Sequence, residues 1–477
     1  MKKYKIIIFA FLFVPSLFLA QGLGSIGNAD AISSAMGNTY VTNSRGAYSV
    51  YKNPANLSFN EIGSVEIATI FPLPNFSSIA GTDFMSVSEF NYFFGGDGNG
   101  NPRELNDEDK ARFVNLFEDG GQIFADLSVN YLGVVFNAGK EIGTFAFSMS
   151  DNVSELSSIP QGLVELAMYG NPPGSVYELN DMGFSANAMR DFTLSYSRDI
   201  TDLLGDLLNL DMVSAGISLK YIQGLGYAET ETVNMVFTTN EDHSINVTGQ
   251  FLGYAASSPD FNFDYGIDST ESEDSEFDFS LMPETAGTGI GVDFGLTAKM
   301  DAFTFGFAIT DIGGITWNNN VIKYESNFSI DVDDITDEGI LDSLEEAIKG
   351  DGVYIDEVSS SLPTALRLGA SVQVDELTEA IPGRLLVALD YNQGFNDVPR
   401  NSKNPRFSVG IEWRPWDIWP LRTGFSVGGR DGFYWSVGSG IDSGLFEFSF
   451  ALSNFDGWVR ANDTNKLAAT LGSRWRF

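Results

Sequence analysis

The chain has 477 residues, with 27 basic against 64 acidic side chains for a formal charge of −37, one histidine and no cysteine. So negative a chain repels nucleic acid, and the missing thiols exclude disulfides, N-terminal lipid attachment through cysteine and thiolate metal sites. The single imidazole, His243, stands beside Ser244 in a Thr/Asn-rich stretch without a glycine-flanked nucleophile, so no catalytic base, cofactor or transition-metal cluster is expected.

In chain order, Lys2, Lys3 and Lys5 precede an apolar run from Ile6 to Ala20 interrupted by Pro15 and Ser16, which reads as a secretory signal peptide over residues 1–20 with cleavage after Ala20. No second run of about 18 apolar residues follows, so helices cannot span a membrane and only a closed β-barrel can. Residues 21–63 are small and polar, and Gly37, Gly46 and Pro54 favour an irregular path over a long helix or a strand. Val65/Ile67/Thr69/Phe71 then open the first strand, near 64–71.

The long link after it, 72–121, contains two expected helices. Ser86 and Glu89 form a capping box ahead of Phe90, Tyr92, Phe93 and Phe94, and Asn106 caps a second helix presenting Phe113, Leu116 and Phe117. Within the same link Asp97, Asn99, Asn101 and Glu108 fit positions 1, 3, 5 and 12 of a calcium loop. Pro102 stands where that loop needs glycine, so no metal is expected there.

From there the pattern is period two. Clear examples are Phe145/Phe147/Met149, Phe192/Leu194/Tyr196, Val213/Ala215/Ile217/Leu219/Tyr221, Phe303/Phe305/Phe307/Ile309 and Phe446/Phe448/Phe450/Leu452, with Gly, Ser, Thr and charged residues between. One face is apolar and the other polar, as a barrel between lipid and a wet lumen requires. Outer-membrane barrels alternate short periplasmic turns with long external loops, which tests the assignment. Short links fall near 137–141, 200–210, 300–302, 375–383, 415–420 and 442–444, and all but one of the links between them are long, giving seven ascending and seven descending strands over 64–477. The external links near 260–284 and 331–357 are densely acidic and read as solvated, self-repelling loops rather than as sites for divalent cations or lipopolysaccharide. Arg367, Asp390, Glu412 and Arg422 face the lumen on neighbouring strands. They read either as a polar constellation or as charge pairs holding an N-terminal segment against the wall.

About eight strands is already the filled case for a barrel, so a wall of about fourteen leaves a lumen that residues 21–63 are suited to occupy. The last strand alternates Leu467, Ala469, Leu471, Trp475 and Phe477 with Thr470, Gly472, Arg474 and Arg476. Its aromatic end, Trp475 and Phe477, resembles the C-terminal signal read by the barrel-assembly machinery of the outer membrane.

The segment Ser33-Ser34-Ala35-Met36-Gly37, followed by Asn53-Pro54-Ala55 and a hydrophobic residue at Leu57, resembles the N-terminal signature of the FadL/TodX long-chain fatty-acid transporter superfamily and of PorV-like proteins of type IX secretion. The resemblance implies an all-β outer-membrane barrel of about 14 strands, with residues 21–63 as a hatch in the lumen and Met36, Gly37, Asn53, Pro54 and Ala55 as hatch residues. It also implies long external loops with short helices, on which Phe90, Phe93, Phe94, Phe113 and Phe117 are candidates for capturing a hydrophobic ligand from outer-membrane lipid. The function it implies is passive, hatch-gated uptake of a hydrophobic small molecule such as a long-chain fatty acid. The alternative is a non-transporting PorV-like barrel that binds a secretion or surface protein.

Overall fold

The structure is a computed structural model, and it describes residues 29–59, 63–69, 75–96, 101–208, 210–261, 282–332, 350, 352–430 and 432–477. The expected signal peptide, Asp97 and Asn99 of the calcium-loop template and the bulk of both acidic links lie outside the described residues.

The wall is one continuous antiparallel sheet. Its strands are β1 (Val65–Thr69 and Asn75–Thr82), β2 (Gly121–Asn137), β3 (Thr144–Ile159), β4 (Gly183–Asp199), β5 (Met212–Thr239), β6 (Gly287–Met300) and β7 (Phe303–Trp317). They continue as β8 (Ala365–Gln373), β9 (Arg384–Gly394), β10 (Arg406–Trp416), β11 (Trp419–Gly428), β12 (Tyr434–Asp442), β13 (Phe446–Ser453) and β14 (Lys466–Arg476). Each pairs with its neighbours in sequence, and β14 pairs with β1 through Glu66↔Arg476 and Phe76↔Leu471, which closes a barrel of fourteen strands. At the seam the amides of Ser64 and Val65 donate to the carbonyl of Phe477, while Trp475 lies 4.6 Å from Phe446. The two residues of the expected assembly signal thus sit where the last strand meets the first.

Side chains alternate as the pleat demands. On β6 and β7, Phe294, Leu296, Phe303, Phe305 and Phe307 are exposed, while Asp293, Thr297, Thr304 and Ala308 between them are buried inside. Similar outward residues recur around the wall at Leu194, Leu219, Leu368, Leu389, Phe407, Phe425 and Phe450. A closed sheet with an apolar outside and a polar inside is a membrane-spanning barrel. It is an outer-membrane barrel, and barrels of that kind turn their short links towards the periplasm.

Two expectations need correction. The first strand does not end at 71: it resumes at Asn75, still between β14 and β2, with Thr69 opposite Leu132 and Asn75 opposite Asn130. Six steps along β1 match two along β2 between these two pairs. The external links are also not plain loops. The upper half of β5 pairs with Ile245–Ser257, which pairs with Val321–Val332, and short strands at Val176–Glu178 and Gly352–Tyr354 flank them. Tyr177, Leu179, Val233, Met235, Ile245 and Val247 form the core of this outer sheet.

The outward position of Phe294, 47 % exposed near the middle of β6, gives a test of the spanning region. Replacing it with arginine is expected to cost about 2–4 kcal/mol, read by guanidinium unfolding titrations in lipid vesicles. A cost below about 1 kcal/mol would show that this face does not meet hydrocarbon.

Candidate functional site

The N-terminal segment lies inside the barrel. Of residues 29–57 only Ile32, Asn43 and Arg45 are not fully buried. Three short helices order it: α1 (Ala31–Ala35) and 3-10 turns at Gly46–Ser49 and Pro54–Ser58. Asp30 caps α1 through the Ile32 amide at 2.8 Å and also takes bonds from Ser33 and the Lys52 ammonium. Without these contacts a buried carboxylate and a buried ammonium would each be left unpaired.

The Asn-Pro-Ala motif has a local explanation. Asn53 caps the turn by accepting from the Ala55 amide at 3.2 Å, and Pro54 takes the first helical position, where no amide hydrogen is needed. The Asn53 amide also donates to Thr297 on β6 at 2.9 Å, and Thr297 donates in turn to Asn56 at 2.7 Å. The Ala55 carbonyl accepts from Ser197 on β4 and Ser214 on β5 at 3.0 and 2.9 Å. One tripeptide therefore fastens the plug to three consecutive strands.

Elsewhere the wall supplies the missing partners of a segment with little secondary structure, which every buried backbone group must find. Asp390 accepts from the amides of Tyr40 and Val41 at 2.6 and 3.0 Å. Glu66 accepts from the Ala47 amide at 2.7 Å, Arg474 donates to the Arg45 carbonyl at 2.9 Å, and Ser426 donates to the Gly37 carbonyl. Tyr51 donates to Asp191 at 2.8 Å.

Shape matches chemistry. A Cβ on Gly424 would run into the Met36–Gly37 backbone, one on Gly410 into Thr39 and Met36, and one on Gly438 into Ala35. On the opposite wall Gly216 and Gly295 leave room for Asn53, Pro54 and Ala55, while Gly306 and Gly369 face Val41. Glycine inside a strand marks close approach of another backbone. Here lumen-facing glycines on seven different strands bring the plug onto the wall. Gly37 itself has φ of 65°, in the left-handed region. Met36 is fully buried beside it.

Of the four lumen-facing charges read from sequence, Arg422 and Glu412 pair at 2.5 Å, Asp390 holds the plug, and Arg367 lies 5.1 Å from the Tyr40 ring. Glu412 and Arg422 belong to a larger network that the sequence reading did not assemble. It links Glu66, Arg474, Glu447, Arg422, Glu412, Arg414, Asp442 and Arg476 in unbroken succession. Four acids and four arginines balance at the periplasmic end, around a cavity of about 180 Å³ beneath the plug. Nearer the outside, Lys220 pairs with Asp293 and Asp311 at 2.9 and 2.5 Å, all fully buried. Asp311 reaches this position because it sits in a bulge of β7 with φ of 58°.

The candidate capture residues divide. Helix α2 (Val87–Phe94) has the Ser86/Glu89 capping box, and α3 (Asp107–Asn115) is capped by Asn106 with Asp109. Phe93, Phe113 and Phe117 are buried in a cluster with Val114 and Val164. Phe90 and Phe94 are more than half exposed, with rings 5.1 Å apart. The helix is fixed to the β13–β14 loop, where the amides of Val87 and Ser88 donate to Thr464 and Asn462. Tyr92 donates to Asp109 at 2.5 Å, and that hydroxyl holds the Asp109 carboxyl below the usual carboxylate range. Glu108 of the calcium template lies in the first turn of α3. His243 is exposed at the turn between β5 and the next strand of the outer sheet.

Residues 64–453 match the model of a family described as a family of unknown function (DUF5723). No curated protein matches the chain. Among solved structures, a deletion mutant of the TodX monoaromatic hydrocarbon channel is 14% identical, covering 94% of this chain and 98% of its own, with a TM-score of 0.48. The toluene transporter TbuX of Ralstonia pickettii is 14% identical over 95% of this chain and 99% of its own, with a TM-score of 0.45. The CymD monoaromatic hydrocarbon channel is 12% identical over 96% and 99%, with a TM-score of 0.45.

The glycine cradle predicts a gain of conductance. Gly424→Ala should unseat the plug and produce steady single-channel steps in planar bilayers, whereas Gly183→Ala, whose added carbon meets only ordinary contacts, should stay as closed as the parent. A closed Gly424→Ala barrel would mean the plug yields without leaving its seat.

Proposed function

Since the chain belongs to the DUF5723 family of unknown function, its own geometry must supply the activity, and we propose that it admits small hydrophobic molecules arriving from the outer leaflet. The observation that supports this most is the aromatic platform on α2. Phe90 and Phe94 stand exposed at the outer rim, on a closed cluster of Phe93, Phe113 and Phe117 that keeps the helix in place. Leaving two adjacent aromatic rings in water is unfavourable, and it suits a surface that meets apolar solutes. Trp458 and Val459, also exposed, extend from the loop to which α2 is fixed. In this reading Asn53, Pro54 and Ala55 anchor the plug, passage is driven by the ligand's own gradient, and no residue performs catalysis. Hatch gating and a fatty-acid cargo are the finer expectations carried over from sequence. The hydrocarbons named for the fold neighbours are theirs.

One feature favours a second reading. The plug is fastened to the wall through Asp390, Thr297, Ser197, Ser214 and the glycine cradle, which suits a barrel that stays closed as a scaffold for a secretion or surface protein. Native mass spectrometry with lipid extraction separates the two. Protein taken from outer membranes in mild detergent should carry a stoichiometric hydrophobe in the uptake reading, whereas an empty barrel retaining a second protein would support the scaffold. For uptake, the double substitution Phe90→Ser with Phe94→Ser should slow entry of 1-naphthol into proteoliposomes by about tenfold. An unchanged rate would remove the platform from the pathway.

A further inference from the structure

Among the described residues, two separate cavities lie above the plug. The outer one, about 300 Å³, lies under the outer sheet and is lined by Met189, Tyr227, Tyr254, Ile315, Val358 and Val398, among others. Its apolar side is firm: Tyr227 stacks on Trp317 at 4.9 Å, and Trp317 is fully buried and donates to Ser360 at 2.8 Å. The inner cavity, about 60 Å³, is lined by Ala365, Arg367 and Asn392 of the wall, by Tyr40 of the plug and by Asn404 and Arg430 of the external links. A single side chain besides these borders both, that of Arg400.

Arg400 belongs to the external link between β9 and β10, yet it is 5% exposed. The link folds inward to bring it there. Its backbone has φ of 71°, which a non-glycine residue adopts at a cost and which calls for support from its surroundings. That support is present. Arg430 donates to the carbonyls of Val398 and Asn401 at 3.3 and 2.7 Å, Asn396 donates to Leu362 at 2.8 Å, and Asn401 donates to Thr364 at 2.9 Å. Across the lumen the guanidinium meets the far wall: it donates to Asn152 at 2.7 Å, to Ser128, and lies 3.7 Å from Asp126. A side chain from one wall bridging to β2 and β3 on the other is a crossbar.

We propose that the outer cavity is the first binding chamber of the entry path and that Arg400 is the latch separating it from the chamber above the plug. The inference rests on the uptake reading for its ligand but on geometry alone for the latch. The chamber's volume is at the lower end of small-molecule clefts, and its lining combines aromatic and aliphatic faces with serine, asparagine and glutamate edges. A compact apolar body with one hydrogen-bonding group fits it. Passage requires the guanidinium to leave Asp126, Asn152 and Ser128, and because desolvated charge is costly to strand, the latch stays closed unless ligand or loop movement supplies other partners.

The cysteine-free chain makes the test direct. Single thiols are introduced in the full-length protein at Val398→Cys, bordering the outer chamber, and at Ala365→Cys, bordering the inner one, and a neutral thiol reagent is added from outside. With Arg400 in place the first should react readily and the second slowly. Removing the latch together with its counter-charge, Arg400→Gln with Asp126→Asn, avoids a stranded carboxylate and should speed reaction at Ala365→Cys by about an order of magnitude or more. Arg400→Lys, which retains a cation, should leave it slow. Equal reactivity at Ala365→Cys with and without Arg400 would overturn the latch. Binding of 1-naphthol tests the chamber separately: Val358→Trp and Val398→Trp, at half-buried lining positions, should each weaken it at least about tenfold, and unchanged binding in both would overturn the chamber. Faster reaction at Ala365→Cys without any gain of 1-naphthol flux would leave the latch standing and overturn the uptake reading.

Discussion

The structure depends on one geometric mismatch: a closed wall of fourteen strands encloses more space than its own side chains can fill. Water could occupy the excess, but a chain that also has to remain closed fills it with protein. Filling it with an irregular segment raises a second requirement, because the plug has few internal backbone hydrogen bonds and no solvent to replace them. The wall meets that requirement residue by residue, with Asp390 at Tyr40 and Val41, Glu66 at Ala47, and the serines of β4 and β5 at Ala55. Polar side chains point inward because the plug needs them as well as because lipid refuses them.

The distribution of charge follows from the same requirement. Buried ions are tolerated where each has an opposite partner and further hydrogen bonds, and three groups of lumen ions are arranged that way: the eight-member network at the periplasmic end, Lys220 between two aspartates, and Arg400 against Asp126. The net charge of −37 resides largely elsewhere. A lumen so polar is a poor conduit for an apolar molecule along the axis past the plug. The apolar surfaces that a ligand would use, the α2 platform and the outer chamber beneath the outer sheet, lie on the external side.

How much of this was legible in sequence varies with the force that shaped each part. The strands were legible because lipid on one side and a wet lumen on the other impose a strict alternation, as at Phe303/Phe305/Phe307, and the short turns fell close to their expected places. The second half of β1 was not, because nothing local says that the chain resumes the same strand after the first apolar alternation ends at Phe71. Strands in the outer sheet are hidden in sequence although Val233/Met235/Phe237 and Ile245/Val247 alternate, because barrel geometry reads long links as loops. The Ser86/Glu89 capping box and the Asn106 cap were legible because their hydrogen bonds are local. The wall glycines were visible as residues but not as a cradle, since their partners lie hundreds of positions away in the N-terminal segment. Arg400 had no sequence signal at all: a loop arginine after Pro399 looks like any solvated cation.

The central claim, that this barrel is built around a plug that stays seated, is tested most directly by hydrogen–deuterium exchange of the full-length protein in lipid nanodiscs. The account predicts that amides of Tyr40, Val41, Ala47 and Ala55 exchange as slowly as those in the middle of β6 and β7. Exchange at the rate of free peptide in that segment, with the wall strands still protected, would show that the plug leaves the lumen in solution and would contradict the account.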